Sequence, residues 1–272
     1  MDIRKLHENF GAEVRGFDLL GEAGATSRVE IDDLRAALAD HQLLLVRSSK
    51  QMSPDRQVEI AGWFGRPAKN DGKNQWSVLR NDEAAGSARL PFHSDFTYTD
   101  SPIKAISLHA IEVPRGGTAT SFLSGVHAWA TLPCDLQELL SRMTVRHVHD
   151  SSLVSGDLPV FIADQPVRFE HPRVMKPVLL VTECHSRRIN ELTPEKSEAM
   201  LSRLFEHLYR PQNIYVHEWR LYDLLLWDNL AVQHARPVRS DPDEGGRALQ
   251  RVALNEVDYP ELIERARRRQ HA

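Results

Sequence analysis

Cysteine is nearly absent: Cys134 and Cys184 are the only two in 272 residues, and they lack the close spacing of a metal-binding pair. That excludes a disulfide scaffold and fits a reduced, cytoplasmic protein. Apolar runs are short, none approaching the roughly 18–20 residues that a membrane helix needs. The opening residues Met1-Asp2-Ile3-Arg4-Lys5-Leu6-His7-Glu8 have no apolar core of a signal peptide. There is no excess of one charge sign either, since Lys+Arg number 34 against Asp+Glu 38, for a formal net charge of -4. No nucleic-acid footprint is expected from that balance. The one basic concentration, Glu264-Arg265-Ala266-Arg267-Arg268-Arg269, reads as a solvated helix end, where cations suit the helix dipole. Internal repeats and low-complexity linkers are missing as well. A single domain over residues 1–272 is therefore expected, with no membrane partner.

What is present divides into two textures. Near the start, Asp32 to His41 has helical periodicity, and Gln42-Leu43-Leu44-Leu45-Val46-Arg47 follows as a buried strand. Ser53-Pro54 then opens a helix through Phe64, with serine as N-cap and proline in the first turn, and Gly65-Arg66-Pro67 stops it. From about residue 76 the pattern turns to short β-like runs: Ala105–Ala110, Thr144–Val148, Val178–Val181 and Leu224–Trp227. One helix interrupts them, starting at Thr193-Pro194 and running to about Tyr209. Many short strands with a few helices predict a mainly β fold with helical cover, a β-sandwich or jelly roll. The runs are too short for periodicity alone to separate strand from buried helix.

Pro91-Phe92-His93-Ser94-Asp95-Phe96 holds a histidine and an aspartate two residues apart. On a strand those positions share a face, so both side chains would reach one ion. Trp227-Asp228-Asn229-Leu230-Ala231-Val232-Gln233-His234 supplies a distant second imidazole. Two imidazoles and one carboxylate on one face of a metal leave positions open for a chelating cosubstrate and dioxygen, the arrangement of non-haem Fe(II) oxygenases. Alone, an H-x-D tripeptide is weak, and the chain has 13 histidines. Arg247 and Arg251 follow, four residues apart, so on a strand both fall on one face. Each guanidinium can grip a carboxylate bidentately, as a dicarboxylate cosubstrate and an anionic substrate require. Two surface arginines are the bland alternative. The turn Pro114-Arg115-Gly116-Gly117-Thr118-Ala119-Thr120-Ser121-Phe122 offers hydroxyl donors.

Taken in order, these segments resemble the taurine dioxygenase and 2,4-dichlorophenoxyacetate dioxygenase group of Fe(II)/2-oxoglutarate-dependent oxygenases, from about Phe10 to Val257. Gly11 to Leu19 is similar to that group's N-terminal β segment, and His41 to Arg47 to the strand after its first helix. His93-Ser94-Asp95, Trp227-Asp228-Asn229 before His234, and Gly246-Arg247-Ala248-Leu249-Gln250-Arg251 stand where its ligand and arginine motifs fall. The resemblance implies a double-stranded β-helix (jelly roll) with its core at about 76–257, an N-terminal cover of helices and strands over 1–75, and lid-like insertions at about 76–90 and 151–168. It implies Fe(II), 2-oxoglutarate and O2, with His93, Asp95 and His234 as the catalytic metal ligands. Arg247 would hold the distal carboxylate of 2-oxoglutarate, helped by Thr120, with Thr118 as the alternative. Arg251 would grip an acidic group of the prime substrate, and Phe96, Tyr98 or Phe92 would face it. The implied reaction couples decarboxylation of 2-oxoglutarate to hydroxylation, or desaturation, of a small organic substrate. A small residue in place of Asp95 would open a halide site as in related halogenases, so the carboxylate favours hydroxylation. The substrate-facing asparagine of the group's taurine oxidisers, just before H-x-D, is missing, Leu90-Pro91 standing there, which puts taurine itself in doubt. Oligomeric state is left open, a homo-oligomer being common among relatives.

Two rival functions use the same residues. A zinc-dependent hydrolase would place a metal-bound water on the three ligands, but no general base stands beside them. A non-catalytic jelly-roll binding module would not need all three. His147-Val148-His149-Asp150 is a rival metal-like cluster, its histidines sharing a face on a strand, with scaffold as the alternative. His171, Trp219 and Trp227 are read as structural or pocket-wall residues.

Overall fold

Leu43-Leu44-Leu45-Val46 is apolar at every position because both of its faces are covered. Leu43 and Leu45 belong to one core cluster, while Leu44 and Val46 belong to another beneath a helix. The same division splits Leu224 and Leu226 from Leu225 and Trp227 in the neighbouring strand. Period-two side-chain alternation thus persists where hydropathy shows none.

The computed structural model describes residues 1–81, 89–150, 158–236 and 245–270. Its first half runs β1 (Asp2–Lys5), β2 (Ala12–Arg15), α1 (Arg28–His41), β3 (Leu43–Val46), α2 (Pro54–Gly62), β4 (Ser77–Arg80), β5 (Leu90–His93), β6 (Ala105–Glu112), β7 (Ala119–Ser124), α3 (Gly125–Ala130) and α4 (Cys134–Leu140). Then come β8 (Thr144–Asp150), β9 (Val160–Pro166), β10 (Arg168–Glu170), β11 (Pro177–Leu179), β12 (Ser186–Ile189) and α5 (Pro194–Leu208). Last are β13 (Ile214–Glu218), β14 (Leu224–Asp228), β15 (Val232–Arg236), β16 (Ala248–Leu254) and α6 (Tyr259–Gln270).

A seven-stranded sheet, β1-β2-β3-β14-β6-β16-β4, is packed against a four-stranded sheet, β13-β7-β15-β5. Phe122 and Val232 from the smaller sheet meet Leu43, Leu45, Ile106, Leu108, Trp227 and Leu249 from the larger one, forming the core of a jelly roll. β12-β8-β9 and the β10-β11 hairpin complete the strands described. α1 and α2 cover the outer face of the larger sheet through Leu34, Leu38 and Ile60, and α5 seals a second core through Leu201, Leu204 and Leu208.

Helix starts follow local chemistry. Ser53 and Thr193 cap α2 and α5, each followed by proline in the first turn. α1 begins at Arg28, ahead of the expected Asp32, because Ser27 and Glu30 form a reciprocal capping box. The N-terminal segment does more than cover: β1, β2 and β3 extend the larger sheet, β3 lying between β2 and β14. Within the stretches expected as lids, Ser77–Arg80 pairs with β16 and Val160–Pro166 pairs along its length with β8, their backbone groups taken up by neighbours. Residues 82–88 and 151–157, within those expected lids, lie outside the described residues. At the other end, α6 rests on the turn after β5: Arg265 and Arg269 pair with Asp100, and Tyr259 stacks on Phe96 at 5.4 Å.

Candidate active site

His93 and His234 sit directly opposite each other where β5 pairs with β15, so both imidazoles leave the same face of the smaller sheet. Their ring centroids are 4.2 Å apart. Asp95 does not reach them along the strand as its spacing predicts. β5 ends at His93, and Asp95 begins a turn in which Phe96 takes a left-handed φ of 63°. The carboxylate is brought back by that turn rather than by strand alternation. Asp95 Oδ1 lies 3.2 Å from His93 Nε2 and 3.8 Å from His234 Nε2. One potential ligand atom from each of the three falls within 4.8 Å of the others, the only such His/Cys/Asp/Glu cluster among the described residues.

The donor set fits a divalent metal. His93 Nδ1 lies 2.8 Å from the Pro91 carbonyl, which as an acceptor fixes the proton there and leaves the Nε2 lone pair facing the cluster. Burial, joined by the neighbouring His93, pushes His234 down to about 3, keeping its ring neutral and able to ligate. Burial alone would raise Asp95, yet its close contact with His93 and the charge of Arg251 hold it well below the usual carboxylate range. Arg251 Nη2 donates to Asp95 Oδ2 at 2.7 Å, so one carboxylate oxygen is anchored while Oδ1 faces the imidazoles.

Two residues adjoining Trp227 build this geometry, and sequence reasoning used them only as motif markers. The Asn229 side chain accepts from Asp95 N at 2.9 Å and donates to the Asp95 and Ile103 carbonyls at 3.0 and 2.7 Å. Asp228 accepts from Leu230 N, contacts His171 Nε2 at 3.0 Å and accepts from Arg173 at 2.7 Å. That fixes the turn launching β15, and it gives His171 a structural partner.

The three groups open onto a cavity of about 500 Å³ whose walls include Leu79, Phe96, Leu108, Thr120, Trp227, Arg236, Arg247, Arg251 and Tyr259. Arg247, Arg251, Thr120 and Phe96 all line this one cavity. Arg247 precedes β16 and is only 3% exposed; its backbone N–H donates to Asn81 Oδ1 at 2.9 Å. Burial and the adjacent Arg236 push its guanidinium down to about 10. Its Nε and Nη1 find no hydrogen-bond partner among the described residues. Thr120 faces the same cavity; Thr118 is not among its walls.

Other candidates fall elsewhere. Phe92 stacks on Tyr209, away from the cavity, and Tyr98 packs between His149 and His185. His147 lies 3.2 Å from the Thr97 hydroxyl, and His149 stacks on Tyr98, so that pair forms no second metal cluster among the described residues. Tyr259, Asn81 and Asn229 were not legible as site residues, because their contacts, with Phe96, Arg247 and Asp95, are made across the fold.

Comparison with known proteins meets this geometry. The model of the family described as "Taurine catabolism dioxygenase TauD, TfdA family" matches residues 2–253. An alpha-ketoglutarate-dependent sulfate ester dioxygenase of Pseudomonas putida is 24% identical, over 86% of this chain and 83% of that protein. An alpha-ketoglutarate-dependent 2,4-dichlorophenoxyacetate dioxygenase of Cupriavidus pinatubonensis is 28% identical, over 84% of this chain and 89% of that one. Among solved structures, a taurine dioxygenase from Burkholderia xenovorans superposes with a TM-score of 0.80 at 25% identity, over 93% and 90% of the two chains. With a match over nearly its whole length and a jelly roll carrying clustered histidines and aspartate, the chain belongs to the taurine catabolism dioxygenase TauD, TfdA family.

Proposed function

We propose that this enzyme, a non-haem Fe(II)- and 2-oxoglutarate-dependent dioxygenase, binds iron through His93, Asp95 and His234 and oxidises a small anionic organic molecule. The observation carrying the reading is the pairing of that cluster with a buried, uncommitted cation. Arg247 Nε and Nη1 have no hydrogen-bond partner among the described residues, and Arg247 lines the cavity together with His93, Asp95 and His234. A buried guanidinium left without an anion is costly, whereas a bidentate carboxylate restores its hydrogen bonds. The distal carboxylate of 2-oxoglutarate is such a group, and its 2-oxo acid end is the natural chelator for open metal positions. A zinc hydrolase has no use for this second anchor.

Bound iron would activate O2 as the oxidant, with oxidative decarboxylation of 2-oxoglutarate to succinate and carbon dioxide supplying two electrons and the prime substrate the other two. The chain's own task is placement: Arg247 and Thr120 orient the cosubstrate, Asp95 and the two histidines hold the metal, and Phe96 and Tyr259 wall the cavity. Arg251, within β16, lines the same cavity as Arg247, and its fork has further donors beyond the Nη2 given to Asp95. It would draw the acidic group of the prime substrate toward the metal. Relatives named for sulfate esters and 2,4-dichlorophenoxyacetate act on anions, which supports that class here. The test is anaerobic titration with Fe(II) and 2-oxoglutarate. A weak visible charge-transfer band from the chelate is expected, and its absence would reject the proposal. A screen of sulfonates, sulfate esters and aryloxy or amino acids for succinate release then finds the substrate.

A further inference from the structure

Thr120 is held by a residue outside the cavity. Trp219, just past β13 and 4% exposed, donates its indole Nε1–H to Thr120 Oγ1 at 2.9 Å. An indole nitrogen can only donate, so it occupies a lone pair of the hydroxyl and leaves the threonine's own hydrogen free. No acceptor for that hydrogen is found among the described residues, while Thr120 lines the same cavity as Arg247. We propose that Trp219 is a positioning residue for cosubstrate binding: its N–H sets the Thr120 hydroxyl as a donor aimed at the carboxylate that Arg247 holds. This rests on the functional reading above and extends it to a residue that touches neither metal nor ligand.

The indole is itself held rigidly. Trp219 N donates to the Thr118 carbonyl at 3.0 Å, and the His217 ring meets the indole edge-on at 4.8 Å. His217 Nε2 lies 3.1 Å from Asp223 Oδ2, and Arg47 Nη1 donates to both Asp223 oxygens. β13 pairs with β7 in a register that sets His217 opposite Thr120, so the sheet delivers Trp219 to the hydroxyl. A buried hydroxyl fixed in one rotamer gives its full hydrogen bond to a ligand with no reorganisation on binding.

The experiment is a double-mutant cycle read by anaerobic titration of the Fe(II)-loaded protein with 2-oxoglutarate, following the chelate band rather than turnover. Trp219→Phe and Thr120→Val are each expected to raise the 2-oxoglutarate Kd about three- to tenfold, the range of one hydrogen bond. The double variant should be no weaker than Thr120→Val alone, because the indole acts only through the hydroxyl. Replacing Trp219 by benzothienylalanine, which keeps the bicyclic shape and lacks the N–H, should reproduce the Phe effect and guards against a folding artefact. Fully additive losses, or a benzothienyl variant with unaltered Kd, overturn the inference while leaving the functional reading intact. No band in the unaltered protein overturns both.

Discussion

The carboxamide of Asn229 takes up both backbone polar groups of Asp95, accepting from its N–H and donating to its carbonyl. A residue 134 positions away thus sets where the carboxylate stands. The turn needs this hold, since Phe96 beside it occupies left-handed backbone space that a bulky side chain rarely adopts.

Asn229→Ala should therefore weaken metal binding about 10- to 100-fold, the usual cost of losing an outer partner of a ligand, while leaving the fold intact. Calorimetric titration with Mn(II) reads this directly. Unchanged affinity would show that the turn holds its shape alone.

His93→Ala or Asp95→Ala should abolish succinate release, since either leaves two of the three donors. Coupled turnover persisting in either variant would refute the ligand assignment.

The two arginines of the cavity should separate kinetically. Arg247→Ala is expected to raise the 2-oxoglutarate requirement far more than that for the prime substrate, and Arg247→Lys should rescue little, lacking the planar fork. Arg251→Ala should show the reverse bias, and should also loosen the metal because Asp95 Oδ2 loses its anchor. Equal effects on both substrates, measured as KM for each, would undo the division of roles.

Acid should destabilise the metal-free fold through buried neutral histidines. Burial pushes both His109 and His147 down to about 4, and His109 Nε2 accepts from Met52 N at 3.2 Å. Unfolded, each protonates near its ordinary value of 6.5, so between pH 6.5 and 4 the unfolded chain binds more protons. Their stabilisation is complete above pH 6.5, declines as pH falls to 4, and changes no further below that. The slope is at most about 1.4 kcal/mol per pH unit for each ring. Urea unfolding at pH 7.5, 6 and 5 measures it, and His109→Gln should flatten it. A slope indifferent to that substitution would remove His109 from the account.

Local signals carried much of this molecule. Ser53-Pro54 and Thr193-Pro194 announced their helices because capping is decided within one turn. His93, His234 and Arg247, which the structure brings to one cavity, stood out in the sequence because ligand chemistry restricts residue type at such positions. Asp95 was found for an incomplete reason: the H-x-D spacing fits a strand face, yet a turn and an asparagine from the other end of the fold do the placing. Leu43–Val46 concealed its alternation because helix and opposing sheet bury opposite faces of the same strand. Trp219 looked like ordinary core, and only the β13–β7 register shows that its N–H meets a cavity hydroxyl.

α6 lies past residue 253, where the likeness to the family model stops, yet it braces the segment bearing Asp95 through Asp100 and Phe96. Trimming the protein to its recognisable family boundary would remove a strut from beneath one of the three proposed ligands. A shortened enzyme that folds but holds iron poorly would then reflect a missing support rather than a faulty centre.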